Sequence, residues 1–332
     1  MTFETNQEVR FVTSVYGKKY GGMLLALLYS IRVSNPKAKA TIFWRDVSKT
    51  TRLLEQVFPE FEFINISHSI KGIFIDRIAH KTVLWAEAAR RHVGENLIFV
   101  DVDMLVRKDI QPFFKESFDI AFTYKDNEVY PINTGTFLTK STKGIEEFFN
   151  NWKEETARIT HDPELLRQAT TQLYPYGAPD QMAFYTMIGY EKGKVEYTVS
   201  LSGGTLRCKG FPCELLNETN SVPISEDVSI LHYKGGWHDI LLDAGDFTIR
   251  RPKEKSWEMY VFYMSMYQQA VVHAEKMLHT KISPRAFGIK RHFYLSYDLK
   301  ESQFLRSVFI VLEKIMMPVR VFIDRVQRKF FS

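Results

Sequence analysis

Leu97-Ile98-Phe99-Val100-Asp101-Val102-Asp103 decides how this chain reads: four large apolar residues in a row, then two carboxylates one residue apart. An unbroken apolar run following Gly94-Glu95-Asn96 suits a central parallel strand covered on both faces. Side chains alternate along an extended chain, so Asp101 and Asp103 share one side. In an open α/β sheet the carboxyl edge of such a strand is where ligands sit, and two oxygen anions there can hold a divalent cation against a diphosphate.

Outward from that stretch, strands and helices alternate. Phe11-Val12-Thr13-Ser14-Val15-Tyr16 reads as a first strand, and Tyr20-Gly21-Gly22 turns into a buried helix from Met23 to Ile31 that Asn35-Pro36 stops. Thr41 to Trp44 is a second strand, Thr51 to Phe58 a helix closed by Pro59, and Phe61 to Ile66 a third strand with period-2 alternation. Lys81 to His92 is helical by its Ala and Leu content. This alternation predicts an α/β fold with a doubly wound, mainly parallel central sheet. Beyond the acids, Phe118 to Phe122 and Gly135 to Leu138 read as strands flanking an acidic loop, and Ile145 to Ile159 and Gln181 to Ile188 as helices. Val228 to His232 reads as a strand reaching the edge that carries Asp103. His161 to Ala178, with Pro163, Pro175 and Gly177, predicts a long substrate-side loop with some helix. Arg250-Arg251-Pro252-Lys253 marks a boundary. The expected parts are therefore a catalytic body 1–250, a helical extension 251–300 in which Trp257 to His273 packs on the body, and a tail 301–332.

Composition narrows the function classes. At 332 residues, 45% hydrophobic and 25% charged, the chain can bury a sizeable core. Cys208 and Cys213 have neither a second Cys pair nor a His cluster for zinc, and two reduced thiols in a cytoplasmic protein are expected. Met1-Thr2-Phe3-Glu4-Thr5-Asn6 lacks the basic and apolar regions of a secretory signal, and stretches such as Met23 to Ile31 are too short to span a bilayer. Residues 285 to 332 hold ten Lys/Arg against four acids, a balance of +6 that leaves the other 284 residues at −1. From Phe304 to Phe331 the cations alternate with a wide apolar face broken at Pro318, which predicts a helix pair lying on an anionic membrane surface and disfavours nucleic acid as the partner.

Taken in order, the motifs resemble glycosyltransferase family 8, the group that includes glycogenin. The resemblance runs from Phe11 to Asp239: the first strand, Arg77 and Lys81, Asp101-Val102-Asp103, Asn133-Thr134-Gly135, Asp180-Gln181, and His232-Tyr233-Lys234-Gly235-Gly236. It implies a GT-A fold, a UDP-sugar donor, Mn²⁺ (or Mg²⁺), and transfer of a hexose with retention to a glycan or lipid-linked saccharide in bacterial surface polysaccharide assembly. The residue chemistry agrees. A sugar leaving as a nucleoside diphosphate piles negative charge on the β-phosphate, and a mixed carboxylate and imidazole set, Asp101, Asp103 and His232, suits Mn²⁺.

Carried over residue by residue, Val12, Thr13, Ser14 and Tyr16 would bracket the base and ribose, with Asp101 and Val102 on the donor side. Arg77 and Lys81 would grip donor phosphate or the carboxylates near the sugar. Asn133 and Gln181 would contact sugar hydroxyls or lie beneath the anomeric carbon, and Asp180 would hydrogen-bond the donor sugar. Lys234, Gly235 and Gly236 look like a diphosphate lid. Two departures stand out: Thr134 where the pattern has Ala, and His238 where it has a Lys six residues after the metal His. Lys234 and His238 are thus both candidates for the departing phosphate. Three other readings compete. An inverting transferase would use Asp239 or Asp243 as base, a sugar-1-phosphate nucleotidyltransferase is only loosely suggested by Tyr16 to Gly22, and a silent membrane-peripheral scaffold would keep the fold alone. The location expected is cytoplasmic, on the inner face of the cell membrane.

Overall fold

A computed structural model of the chain describes residues 8–66, 74–125, 130–171, 177–219, 224–242, 257–283 and 286–287. In chain order its elements are β1 (Val9–Tyr16), α1 (Gly21–Ser34), β2 (Lys39–Arg45), the one-turn helices α2 (Lys49–Arg52) and α3 (Leu54–Val57), β3 (Glu62–Asn65) and α4 (Phe74–Arg91). There follow β4 (Asn96–Val100), β5 (Met104–Val106), β6 (Ile120–Tyr124), β7 (Ile132–Thr139), α5 (Ile145–His161), α6 (Pro163–Thr170) and α7 (Pro179–Ile188). The last are β8 (Glu196–Leu201), β9 (Gly204–Pro212), α8 (Cys213–Leu216), β10 (Ile230–His232), α9 (Gly236–Leu241) and α10 (Trp257–Leu278).

Eight strands form one sheet in the order β3-β2-β1-β4-β7-β6-β9-β8. The first four are parallel, β7 runs against both β4 and β6, β9 returns parallel to β6, and β8 closes the edge antiparallel. The α/β fold with a mainly parallel sheet is as expected. The apolar runs divide by parity: Phe11, Val15, Ile98 and Val100 face one core while Val12, Leu97 and Phe99 face the other. The first core holds α1, which is apolar all round and buried for that reason, with α10 laid across it. The second holds Trp85, Phe137, Phe149, Trp152 and Phe184 from α4, β7, α5 and α7, their rings 4.7–5.8 Å apart in tilted, edge-on and stacked pairs.

The helix expected within 161–178 is Pro163–Thr170, because Pro163 suits a first helical turn and Asp162 accepts from the amides of Glu164 and Leu165. Three local features differ from expectation. Thr51 to Phe58 divides into α2 and α3 at Leu53. The β8–β9 hairpin adds two strands to those expected; Ser202-Gly203 turns between runs whose Tyr197, Val199, Leu206 and Cys208 are buried at every second position. The strand expected at Val228 to His232 shortens to Ile230–His232 and leaves the main sheet to pair antiparallel with β5. Cys208 and Cys213 are free and buried. The boundary near residue 250, most of segment 251–300 apart from α10, and the whole tail 301–332 lie outside the described residues. No described helix is long and apolar enough to cross a membrane.

Candidate metal centre

Asp101 leaves the end of β4, and its amide donates to the Gly135 carbonyl at 3.0 Å, so the acidic pair begins where the parallel sheet ends. Three residues on, at Met104, the chain enters β5, whose pairing with β10 sets His232 opposite Met104. The Tyr233 amide donates to the carbonyl of Asp103 at 2.8 Å and locks that register. Asp101, Asp103 and His232 therefore converge, with one ligand atom from each lying within 4.8 Å of the others. Nε2 of His232 is 3.2 Å from Oδ1 of Asp103.

The imidazole is oriented from behind. Nδ1 of His232 lies 2.7 Å from Oδ1 of Asn217, whose amide donates to Thr123 Oγ1 at 2.8 Å, and that hydroxyl donates to the Asn133 carbonyl at 2.9 Å. With the Asn217 amide nitrogen committed to Thr123, its oxygen accepts from Nδ1–H, and Nε2, which faces Asp103, is the nitrogen that would turn a lone pair to a metal once it gives up its hydrogen. Gly135 completes the cradle: a Cβ there would meet Met104 Cε at 2.6 Å and His232 Cε1 at 2.9 Å. The β6–β7 register shift after Phe122 lets Thr134 to Thr136 arch toward β4 and reach this position. Two carboxylates and an imidazole with a fixed tautomer fit a divalent ion of the Mn²⁺ kind.

On the other side of Asp101 stands Lys81. Its Nζ is 3.3 Å from Asp101 Oδ1, 3.4 Å from Asp180 Oδ2 and 3.4 Å from the Thr134 carbonyl, with the Trp85 ring beneath at 4.7 Å. Burial works against this ammonium, but Asp101 and Asp180 outweigh it and hold its pKa above the ordinary lysine value. Burial, then Asp103 and Asp180, push Asp101 above the ordinary aspartate value against the pull of Lys81 and His232. Asp103 goes the other way: burial opposes its charge, yet His232 and the hydrogen bonds from His232 and His238 hold it well below the usual range. Asp180, fully buried at the start of α7, takes a hydrogen bond from Thr134 Oγ1 at 2.6 Å, while its Oδ1 has no hydrogen-bond partner among the described residues. The main-chain oxygen of Asp180 is held by Trp152 Nε1 at 2.8 Å.

The remaining expected residues are distributed as follows. Gln181 Oε1 accepts from the Thr134 amide at 3.3 Å, and Asn133 Oδ1 from the Gly135 amide at 2.9 Å, so the two motifs Asn133-Thr134-Gly135 and Asp180-Gln181 interlock. Val12 and Thr13 are buried on β1, Ser14 is half-buried, and Tyr16 at the strand's end meets His80 Nδ1 through its hydroxyl at 2.7 Å. Val102 is half-buried between the two acids. Lys234 is half-buried, and Gly235 adopts φ +63°, open to glycine, before α9 starts at Gly236. His238 points back to Asp103, Nε2 to Oδ2 at 2.6 Å. Arg77 falls in α4, and its side chain lies outside the described residues, as do Asp243 and the side chains of Gly236 and Asp239. Asn217 and His80 escaped the sequence reading because nothing in their local sequence marks them. A cavity of about 780 Å³ between Gly144 and the β8–β9 turn is lined by none of these acids.

Residues 91–233 match the family model described as nucleotide-diphospho-sugar transferase. That span holds Asp101, Asp103, Asn133, Asp180, Gln181 and His232. No curated protein sequence matches. Among solved structures, the glycosyltransferase GlyE in Streptococcus pneumoniae TIGR4 superimposes with a TM-score of 0.51 at 10% identity, covering 87% of this chain and 67% of that one. Its apo form gives 0.52 at 12% identity over 82% and 64%. The galactosyltransferase LgtC, in complex with donor and acceptor sugar analogues, gives 0.45 at 12% identity over 78% and 95%. This chain spans about two thirds of the length of the GlyE structures. The GlyE likeness establishes a GT-A fold, and with the family match it supports a nucleotide-sugar glycosyltransferase.

Proposed function

We propose that this GT-A enzyme is a metal-dependent hexosyltransferase of the family 8 type, moving a hexose from a UDP-sugar to a glycan or lipid-linked saccharide with retention, in bacterial surface polysaccharide assembly. The observation that carries the reading is the convergence of Asp101, Asp103 and His232 at the carboxyl edge of the sheet, with Asn217 fixing the imidazole. These three would hold Mn²⁺, whose chemistry there is to neutralise charge on the departing diphosphate. The neighbouring residues supply binding and orientation. Lys81 ties Asp101 to Asp180 and so couples the metal side to the sugar side. Oδ1 of Asp180, without a hydrogen-bond partner among the described residues, would accept from one donor-sugar hydroxyl, while its other oxygen is held by Thr134. The Lys234-Gly235-Gly236 turn offers a cation and close backbone approach to the diphosphate. Contact with an anionic membrane surface is proposed for the tail 301–332 on its charge and apolar pattern, which would hold the enzyme at the cytoplasmic leaflet.

A panel of UDP-sugars, assayed for UDP release with and without Mn²⁺, tests the reading. One donor should support release that needs the ion, and the product anomer should match the donor's. Metal-independent release or an inverted anomer would refute the corresponding half.

A further inference from the structure

We infer that His238 is a positioning residue that divides the two oxygens of Asp103 between separate tasks, Oδ2 held by the protein and Oδ1 offered to the cation. The inference rests on the metal reading above and adds a residue to it. Asp103 lies between two imidazoles that play different parts. Nε2 of His232 faces Oδ1 at 3.2 Å, and with Nδ1–H given to Asn217 it is this nitrogen that would exchange its hydrogen for an arriving cation. Nε2 of His238 faces Oδ2 at 2.6 Å. An ionised carboxylate only accepts, so this second nitrogen carries its hydrogen and has no lone pair to offer a metal. The hydrogen bond thus removes both His238 Nε2 and Asp103 Oδ2 from the ligand set and leaves Oδ1 as the oxygen beside His232.

The ring is held for that task. Gly235 turns the chain with φ +63°, the His238 amide donates to the Gly235 carbonyl at 2.8 Å, and the Leu242 amide donates to the His238 carbonyl at 2.8 Å. Tyr20 meets the imidazole edge-on at 5.7 Å, and the buried Trp237 packs on Tyr233 at 5.2 Å, tying α9 to the strand that bears His232. A Lys at position 238 would bring a flexible, strongly hydrated point charge, whereas the imidazole is a directed donor. A carboxylate committed through one oxygen is a poorer ligand for Ca²⁺, which readily takes bidentate carboxylates, than for a smaller ion.

The test is Mn²⁺ binding to the full chain without nucleotide, followed by calorimetry and by the paramagnetic resonance signal of the bound ion. His238→Phe keeps a ring against Tyr20 and removes the donor; it should weaken Mn²⁺ binding by about 10- to 100-fold, the usual effect of removing a partner that orients a metal ligand. His238→Gln restores an N–H at the same reach and should recover the affinity to within about threefold, with the wild-type resonance spectrum. Should the Phe variant fail to fold by circular dichroism, His238→Ala takes its place in the same titration. Unchanged Mn²⁺ affinity in the Phe or Ala variant, together with weaker UDP binding, would overturn the inference and make His238 a diphosphate contact. A wild-type protein that binds no Mn²⁺ would instead overturn the metal reading itself.

Discussion

Lys81→Met tests the electrostatics at the centre of the site. The methionine keeps an apolar stem over Trp85 and deletes an ammonium that stands 3.3 Å from Asp101 and 3.4 Å from Asp180. At an effective dielectric of about 20, each contact is worth about 5 kcal/mol of gross attraction, much of it offset by the cost of burying the charges. Removing one member of a buried ion pair strands the others, which costs about 3–5 kcal/mol. That is the loss expected at pH 7 in urea unfolding with chelator present, read as a lower midpoint at unchanged slope. The pH dependence has a definite sign. Burial first, then Asp103 and Asp180, already raise Asp101 above the ordinary value of 3.8, and without Lys81 it rises further. A carboxyl raised in the folded state favours folding while protonated. That contribution is complete below about 3.8 and lost as pH climbs through the folded value. The deficit of Lys81→Met should therefore be small near pH 4 and grow toward pH 7. Mn²⁺ at about 100 times its dissociation constant stabilises a folded site by about 2.7 kcal/mol, and in the variant it should close much of the gap. A deficit under about 1 kcal/mol, indifferent to pH and to Mn²⁺, would refute Lys81 as the counter-charge of Asp101 and Asp180.

Three further outcomes follow from the same geometry. Asp103→Asn should abolish Mn²⁺-dependent UDP release while shifting the thermal midpoint little, since the amide oxygen can still accept from His238; wild-type-like turnover would remove Asp103 from the metal set. Gly135→Ala places a methyl 2.6 Å from Met104 Cε and 2.9 Å from His232 Cε1, so it should cost about 1–3 kcal/mol in urea unfolding and weaken Mn²⁺ binding through the displaced ring. Glu95 is bidentate to Arg10 at 2.8 and 3.1 Å; burial raises its pKa but the Arg10 hydrogen bonds win and lower it, so its contribution is present above about 4.5 and lost as pH falls. Glu95→Gln should cost about 1–3 kcal/mol at pH 7 and nearly nothing near pH 3.

Much of this protein is legible along the chain because the relevant forces are local. The run Leu97 to Val100 is apolar at every position, and only a strand buried on both faces satisfies that. The acids after it fall at the carboxyl edge by strand geometry alone. Gly135 and Gly235 mark close approaches that a side chain would block or strain. The Asp162-Pro163 start of α6 obeys the same local rules, with Pro163 in the first turn and Asp162 capping it.

What folding alone decides is partnership. Nothing near Leu215-Leu216-Asn217 announces that Asn217 will set the tautomer of an imidazole fifteen positions on, or that Thr134, at first sight a conservative swap, will hold one oxygen of Asp180. Lys81 reads equally well as a phosphate clamp until Asp101 and Asp180 are seen on either side of it. His238 and Lys234 are rivals in one dimension; in three, the imidazole is taken by Asp103. Periodicity and turn chemistry act over a few residues and leave their mark in the sequence, whereas hydrogen bonds between residues 135 positions apart depend on where separate strands and helices come to rest.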